Sequence, residues 1–380
     1  MNDHPSPVAV TGGRDLGIDT LRIGAMMAVA VGHWLVTAVS FSGGFFAIDS
    51  PLAHLSGGWI LTQFLQVVPL FFIVGGWAGA NSYRRAEGRD TTAGSGGSWG
   101  WVKDRVVRLT TGTVAAAAVI VATGAVLALV FGLGTLVWPA VALALQPLWF
   151  LGVYIVVSAT IPFAVTAADR LGLILPFVLL GTAAVLDIGG TLLPGGVGEV
   201  LSATAGLNVV LVWWSAHQLG VCWQSRPMGR WWVWILAGWA IMFLGWNAGW
   251  PLELVGVTGA DRSNMNPPSI MIIAQVLVSV GAALALRPVL HRFATDHLRV
   301  RWALRGAGAV AVGVFTFHLV ALLITAGVAA LVTGLDGSVA GLTAPPVTTG
   351  WLLVRLTWFP VFIAVLGVLL TGLRRVLPLS

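Results

Sequence analysis

Polar positions along this chain are scarce and bunched, and between them run apolar blocks of about the 20 residues that a helix needs to cross a bilayer. Ten blocks are legible: Ile18–Ser40, Gly57–Ser82, Val106–Val130, Leu148–Ala168, Leu171–Ile188, Gly206–Gln224, Trp231–Trp250, Ser269–Leu290, Gly306–Leu331 and Trp351–Leu373. The pattern predicts an all-α polytopic membrane protein, a bundle of about ten transmembrane helices. One domain spans 18–373, between a polar tail at 1–17 and a short one at 374–380.

One stretch is ambiguous by hydropathy alone. Leu109 to Ala168 holds no charged residue, so it divides into two helices with an apolar connector or into three. Charge placement decides for two. Arg14, the basic group from Arg84 to Arg108, Arg170, Arg226, Arg230, the five arginines from Arg287 to Arg305, and Arg374 with Arg375 then share one side, with Arg22 at the same end of the first helix. Only Arg262 and Arg355 lie opposite. Cytoplasmic connections carry such an excess of Lys and Arg, which puts both termini in the cytoplasm; three helices would invert everything downstream. Trp59, Trp101, Trp149, Trp231, Trp250 and Trp351 stand at block ends, as in an interfacial belt. The longest cytoplasmic connection, 83–104, contains a Gly/Ser/Thr-rich piece without helix or strand pattern and is expected to be a flexible loop. On the other side, 251–268 ends in Asn264-Met265-Asn266-Pro267-Pro268, whose prolines delay the next helix.

Composition agrees and excludes other classes. Hydrophobic residues make up 57% of the 380 positions and charged residues 9%, at a mean hydropathy of +0.92, outside the range of soluble domains. The formal charge of +6 is dispersed over short connections, so it reads as membrane orientation and not as a nucleic-acid surface. A single cysteine, Cys222, excludes an intramolecular disulfide, and no Cys/His cluster suggests a metal site. No permanently bound cofactor is expected.

The chemistry concentrates in the first block. Arg22 and His33, eleven residues apart, differ by about 20° in azimuth and about 16 Å in height on a helix, and Asp19 lies within about 60° of both. Such side chains are costly against lipid and are expected to face a cavity or pair inside the bundle. Taken singly they have plainer readings: Asp19 as the helix N-cap, Arg22 reaching to headgroups, His33 as a packing residue. His318 is the second membrane-depth histidine. Glu253, Asn264 and Asn266 in the outer connection, and Trp149, are candidate substrate contacts.

These residues resemble the acyltransferase-3 family of integral-membrane acyltransferases. Asp19-Thr20-Leu21-Arg22 with His33 is similar to its Asp-x-x-Arg and Arg-x10-His signature. Pro69-Leu70-Phe71-Phe72 resembles its second-helix run, with Gly75 and Trp77 standing where the family carries serine and phenylalanine. Arg105-Val106-Val107-Arg108 is similar to its Arg-x-x-Arg, and Leu148-Trp149-Phe150-Leu151 and Phe317-His318 have counterparts. The Asn-x-Asn-Pro-Pro run resembles an actinobacterial branch without an appended esterase domain.

The resemblance implies a multi-pass enzyme of the bacterial cytoplasmic membrane that takes an acyl group from acyl-coenzyme A. The acceptor would be a hydroxyl of a glycan, a lipid-linked sugar or another small molecule. Arg105 and Arg108 are then expected to hold the donor's phosphates, His33 to act as general base or acyl relay, and Arg22 with Asp19 to orient the donor. The rival from another class is a proton-coupled transporter or flippase with Asp19, Arg22 and His33 as a relay.

Overall fold

The computed structural model describes residues 15–93, 97–257, 259–260 and 262–373. In chain order it forms α1 (Leu16–Val36), a hairpin of β1 (Ala38–Ser42) and β2 (Phe45–Asp49), and short α2 (Pro51–His54) and α3 (Trp59–Leu65). Then come α4 (Val68–Ala93), α5 (Gly97–Val130), α6 (Gly134–Leu145), α7 (Leu148–Ala159), α8 (Ile161–Leu171), α9 (Ile174–Leu192) and α10 (Gly195–Thr204). The remainder is α11 (Asn208–Ser225), α12 (Trp231–Asn247), α13 (Ile270–Asp296), α14 (Leu298–Thr333), α15 (Thr349–Thr357) and α16 (Phe359–Leu373).

Helix dominates, as the apolar blocks predict. Among the described residues seven helical spans are long and apolar enough to cross a membrane, or eight if α15 and α16, bent by 44°, count as one. Outside that group stand α1, with Asp19, Arg22 and His33 in its sequence, and the 17-residue α12. Both pack into the same bundle, α1 against α4, α13 and α14, and α12 along α13.

Several boundaries differ from the sequence reading. The first block ends at Val36, not Ser40, and the chain turns into the hairpin, pairing Ala38 with Asp49 and Ser42 with Phe45. Gly43 and Gly44 make its two-residue turn at φ of 56° and 79°, a conformation open to glycine and strained for other residues. The supposed loop 83–104 is mostly helix: α4 runs on to Ala93 and α5 begins at Gly97. Leu16 and Gly17 belong to α1, while 1–14 and 374–380, the expected tails, lie outside the described residues. The apolar connector expected at 131–147 is largely α6, which continues through breaks at Gln146-Pro147 and Thr160 into α7 and α8. Two traversals therefore still fill the uncharged stretch.

Close approach of α4 and α11 builds the core. A Cβ on Gly76 would overlap the carbonyl of His217, and one on Gly220 the carbonyl of Ile73, so small residues let the two backbones touch. Beside this contact Phe71, Phe72, Phe150, Tyr154 and Trp213 interlock edge-to-face and stacked, with centroids 4.8–6.4 Å apart.

Polar ties gather at the two ends of the bundle. At one end Arg287 pairs with Asp15 at 2.6 Å, Arg84 with Asp169 at 2.6 Å, and Arg226 donates to the Ala168 carbonyl. At the other, Arg262 pairs with Asp187 at 3.3 Å and stacks on Trp250, and the Gly43 amide donates to Asp336. Trp250 and Trp351, expected in the interfacial belt, are instead buried, binding Asp187 and the Ala344 carbonyl through their indole N–H groups.

Candidate functional site

His33 sits in the last turn of α1, where the helix packs against α14. Its Nδ1 lies 2.7 Å from Nε2 of His318, the rings nearly parallel at 6°. Nδ1 of His318, in turn, is 2.7 Å from the carbonyl oxygen of Phe315. A carbonyl only accepts, so Nδ1 of His318 carries the proton and its Nε2 is left as an acceptor. That acceptor fixes the proton of His33 on Nδ1. With both rings neutral, the chain Phe315 carbonyl, His318, His33 leaves Nε2 of His33 without a proton.

Further bonds hold this pair from behind. The Trp34 indole donates to the His318 carbonyl at 2.8 Å. Arg355 on α15, fully buried, donates to the carbonyls of Trp34, Thr37 and Gly341. Two of these belong to the C-terminal end of α1, whose last carbonyls have no partner within the helix.

In front of His33 lies a cavity of about 200 Å³. Its wall is made where helices break: the ends of β2 and α3, the α6–α7 junction, and Val255-Gly256 of the outer connection, together with Thr37, Trp149 and Phe315. Irregular backbone is tolerated at membrane depth where it is buried in protein or lines a cavity, which accounts for breaks converging here. Asp49, Ser50 and Gly256 in its wall place the cavity toward the end away from the arginine clusters.

The other residues expected from sequence are distributed more widely. Asp19 and Arg22 pair at 3.4 Å near the arginine-rich end, about 21 and about 16 Å along the helix from His33, and neither lines the cavity. The N-cap is Asp15, whose carboxylate accepts from the Ile18 amide. Burial pushes the Asp15 carboxyl up, but the Arg287 hydrogen bond, the Ile18 amide and the charges of Arg287 and His291 outweigh it and hold it below the usual range.

Arg105 and Arg108 part company. Arg105 turns inward, donating to the Tyr154 hydroxyl at 3.2 Å beside Trp101, and its buried Nε finds no acceptor among the described residues. Arg108 is exposed and bonds back to the Asp104 carbonyl of its own helix. A side chain at Gly75 would collide with the Tyr154 ring, so the tyrosine fills the space where the family pattern places a serine.

Trp149 lines the cavity. Asn264 is fully buried, its amide donating to the carbonyls of Pro251 and Glu253 and its oxygen accepting from Ser269, so it locks the outer connection. Glu253 contributes that carbonyl, and Asn266 is exposed on the turn. Sequence reasoning missed Thr37, Asp49, Gln146, Tyr154 and Arg355. Thr37 had a signal, standing one turn beyond His33 on the same face; the others depend on distant helix contacts.

No curated protein and no solved structure matches the chain. The family model for the acyltransferase domain of the acyltransferase-3 family matches residues 15–373, from the α1 N-cap to the end of α16 and so through every element of this site, and the chain belongs to that family.

Proposed function

We propose that this membrane acyltransferase moves an acyl group from cytosolic acyl-coenzyme A to a hydroxyl of a glycan, lipid-linked sugar or other small acceptor, with His33 as general base. The observation that carries the reading is the ordered His318–His33 pair, which presents a free imidazole nitrogen to a cavity inside the bundle. Nε2 of His33 takes the acceptor's proton as its oxygen attacks the thioester carbonyl; the carbon–sulfur bond breaks, and the proton passes from His33 to the departing thiolate. The imidazolium formed in between is steadied by His318, which accepts from its Nδ1–H.

Donor binding draws on the opposite end. Arginines cluster there, and Arg105 reaches from that side into the bundle with Nε uncommitted, suited to an anionic, hydrogen-bond-accepting donor. Arg22 and Asp19 stand at the same end and orient the donor from α1. A cytosolic donor and an acceptor from the other face then meet near His33.

Purified protein in nanodiscs with radiolabelled acetyl-coenzyme A tests this. His33→Ala should abolish acetyl transfer while the protein still folds, and Arg105→Ala should raise the donor KM. Full turnover in His33→Ala would sink the role of His33.

A further inference from the structure

The cavity also constrains what it accepts. Six polar side chains line it: His33, Thr37, Asp49, Ser50, Gln66 and Gln146. Three are already engaged by the protein, Ser50 as an acceptor and Gln66 through its nitrogen. Asp49 accepts from the Ser50 amide and pairs with His54 at 2.9 Å, Ser50 caps the Leu52 amide, and the Gln66 amide nitrogen donates to the Leu254 carbonyl. The Thr37 hydroxyl and the Gln146 amide engage no described residue, and both share the cavity with the uncommitted Nε2 of His33. Thr37, the C-cap of α1, follows His33 by four positions and lines the same cavity.

Charge and size narrow the ligand further. No lysine or arginine lines the cavity, and the guanidinium behind it, Arg355, has given Nε and both terminal nitrogens to backbone carbonyls. A carboxylate or phosphate entering here would give up water without a charged donor in return, and would meet the Asp49 carboxylate in the wall. About 200 Å³ is below the range of about 300 Å³ and upward at which drug-sized pockets begin, and Trp149 offers an exposed ring as one wall.

Resting on the acyltransferase reading, we infer that this cavity is the acceptor subsite, with Thr37 and Gln146 as its specificity-determining residues. It takes an uncharged hydroxyl-bearing group no larger than a single ring and rejects its carboxylated or phosphorylated counterparts.

Paired acceptors test this on the whole protein in nanodiscs with radiolabelled acetyl-coenzyme A: a panel of methyl hexosides, each beside its methyl hexuronide. Each hexoside that is used should exceed its uronide at least tenfold in kcat/KM. Thr37→Val and Gln146→Leu should each raise the acceptor KM about two- to tenfold, the size of one lost hydrogen bond, with the donor KM unmoved. Thr37→Ser, which keeps the hydroxyl, should restore the wild-type value and so separate binding from folding. Equal use of the uronides, donor hydrolysis without transfer to any hexoside, or acceptor KM values untouched in both variants would overturn the subsite while leaving the acyltransferase reading standing. No consumption of donor by the wild-type protein would remove that reading, and the inference with it.

Discussion

His33 stands out in the sequence because an imidazole inside an apolar block is costly unless something pairs with it. What pairs with it was not legible: His318 lies 285 positions away, and only the packing of α1 on α14 brings them together. The pairing makes a graded prediction. His33→Ala removes the base and should lower turnover by about 10²–10⁴-fold. His318→Leu leaves the base in place but removes the acceptor that holds the His33 proton on Nδ1, so turnover should fall by about 10²-fold. His318→Gln, whose amide oxygen can stand near Nε2, should recover part of that loss. Initial rates of acetyl transfer for the three variants check the order, and equal rates in His318→Leu and His318→Gln would remove the tautomer argument. Asp19 and Arg22 show the limit of the helical-wheel reading. They share α1 with His33, but a common azimuth does not bring side chains about 16 to 21 Å apart into one cavity.

Elements were legible where they are long and apolar, and illegible where they end. Ala38–Ser40 reads as more helix because Ala38 and Val39 satisfy a hydropathy window as strand or as helix; the Gly43-Gly44 pair was the available signal of a turn. The end of α1 is set from outside by Arg355, which the charge pattern counted only as an exception on the outer side. Replacing it with leucine leaves the carbonyls of Trp34, Thr37 and Gly341 buried without a donor, at a cost on the order of 3 kcal/mol. Arg355→Leu should therefore lower the unfolding temperature in detergent and also turnover, since Trp34 braces His318. Arg355→Lys should recover little, because a single ammonium cannot reproduce the forked geometry. The other end of α1 depends on pH. Asp15 has a depressed carboxyl pKa in the folded protein, so its contribution to stability is present above the ordinary carboxylate value of about 3.9 and is lost as pH falls through the lower folded value. Thermal unfolding between pH 6 and 3 should show a decline that Asp15→Asn flattens, and an unchanged slope would remove Asp15 as the anchor.

For the molecule as a whole, the side-to-side alternation of arginines was the most informative pattern, and it implies an orientation that labelling tests. Moving the boundary at 131–147 from connector to α6 adds no traversal, because α6, α7 and α8 follow one another along the same passage. Arg84, Arg226 and Arg287 tie helix ends at one pole, and Arg262 and Arg355 work at the other. By the positive-inside rule the arginine-rich pole is expected in the cytoplasm and the cavity toward the opposite face. Cys222, the single cysteine, is fully buried, so an impermeant maleimide should not reach it and new cysteines report alone. Ser338→Cys and Asn266→Cys, at exposed positions of the cavity pole, should label on intact cells. Arg292→Cys, exposed at the other pole, should label only after the membrane is permeabilised. The reverse pattern would place the His33 cavity on the cytosolic side. Donor and acceptor would then both come from the cytosolic side; orientation thus decides whether the two substrates approach from opposite faces.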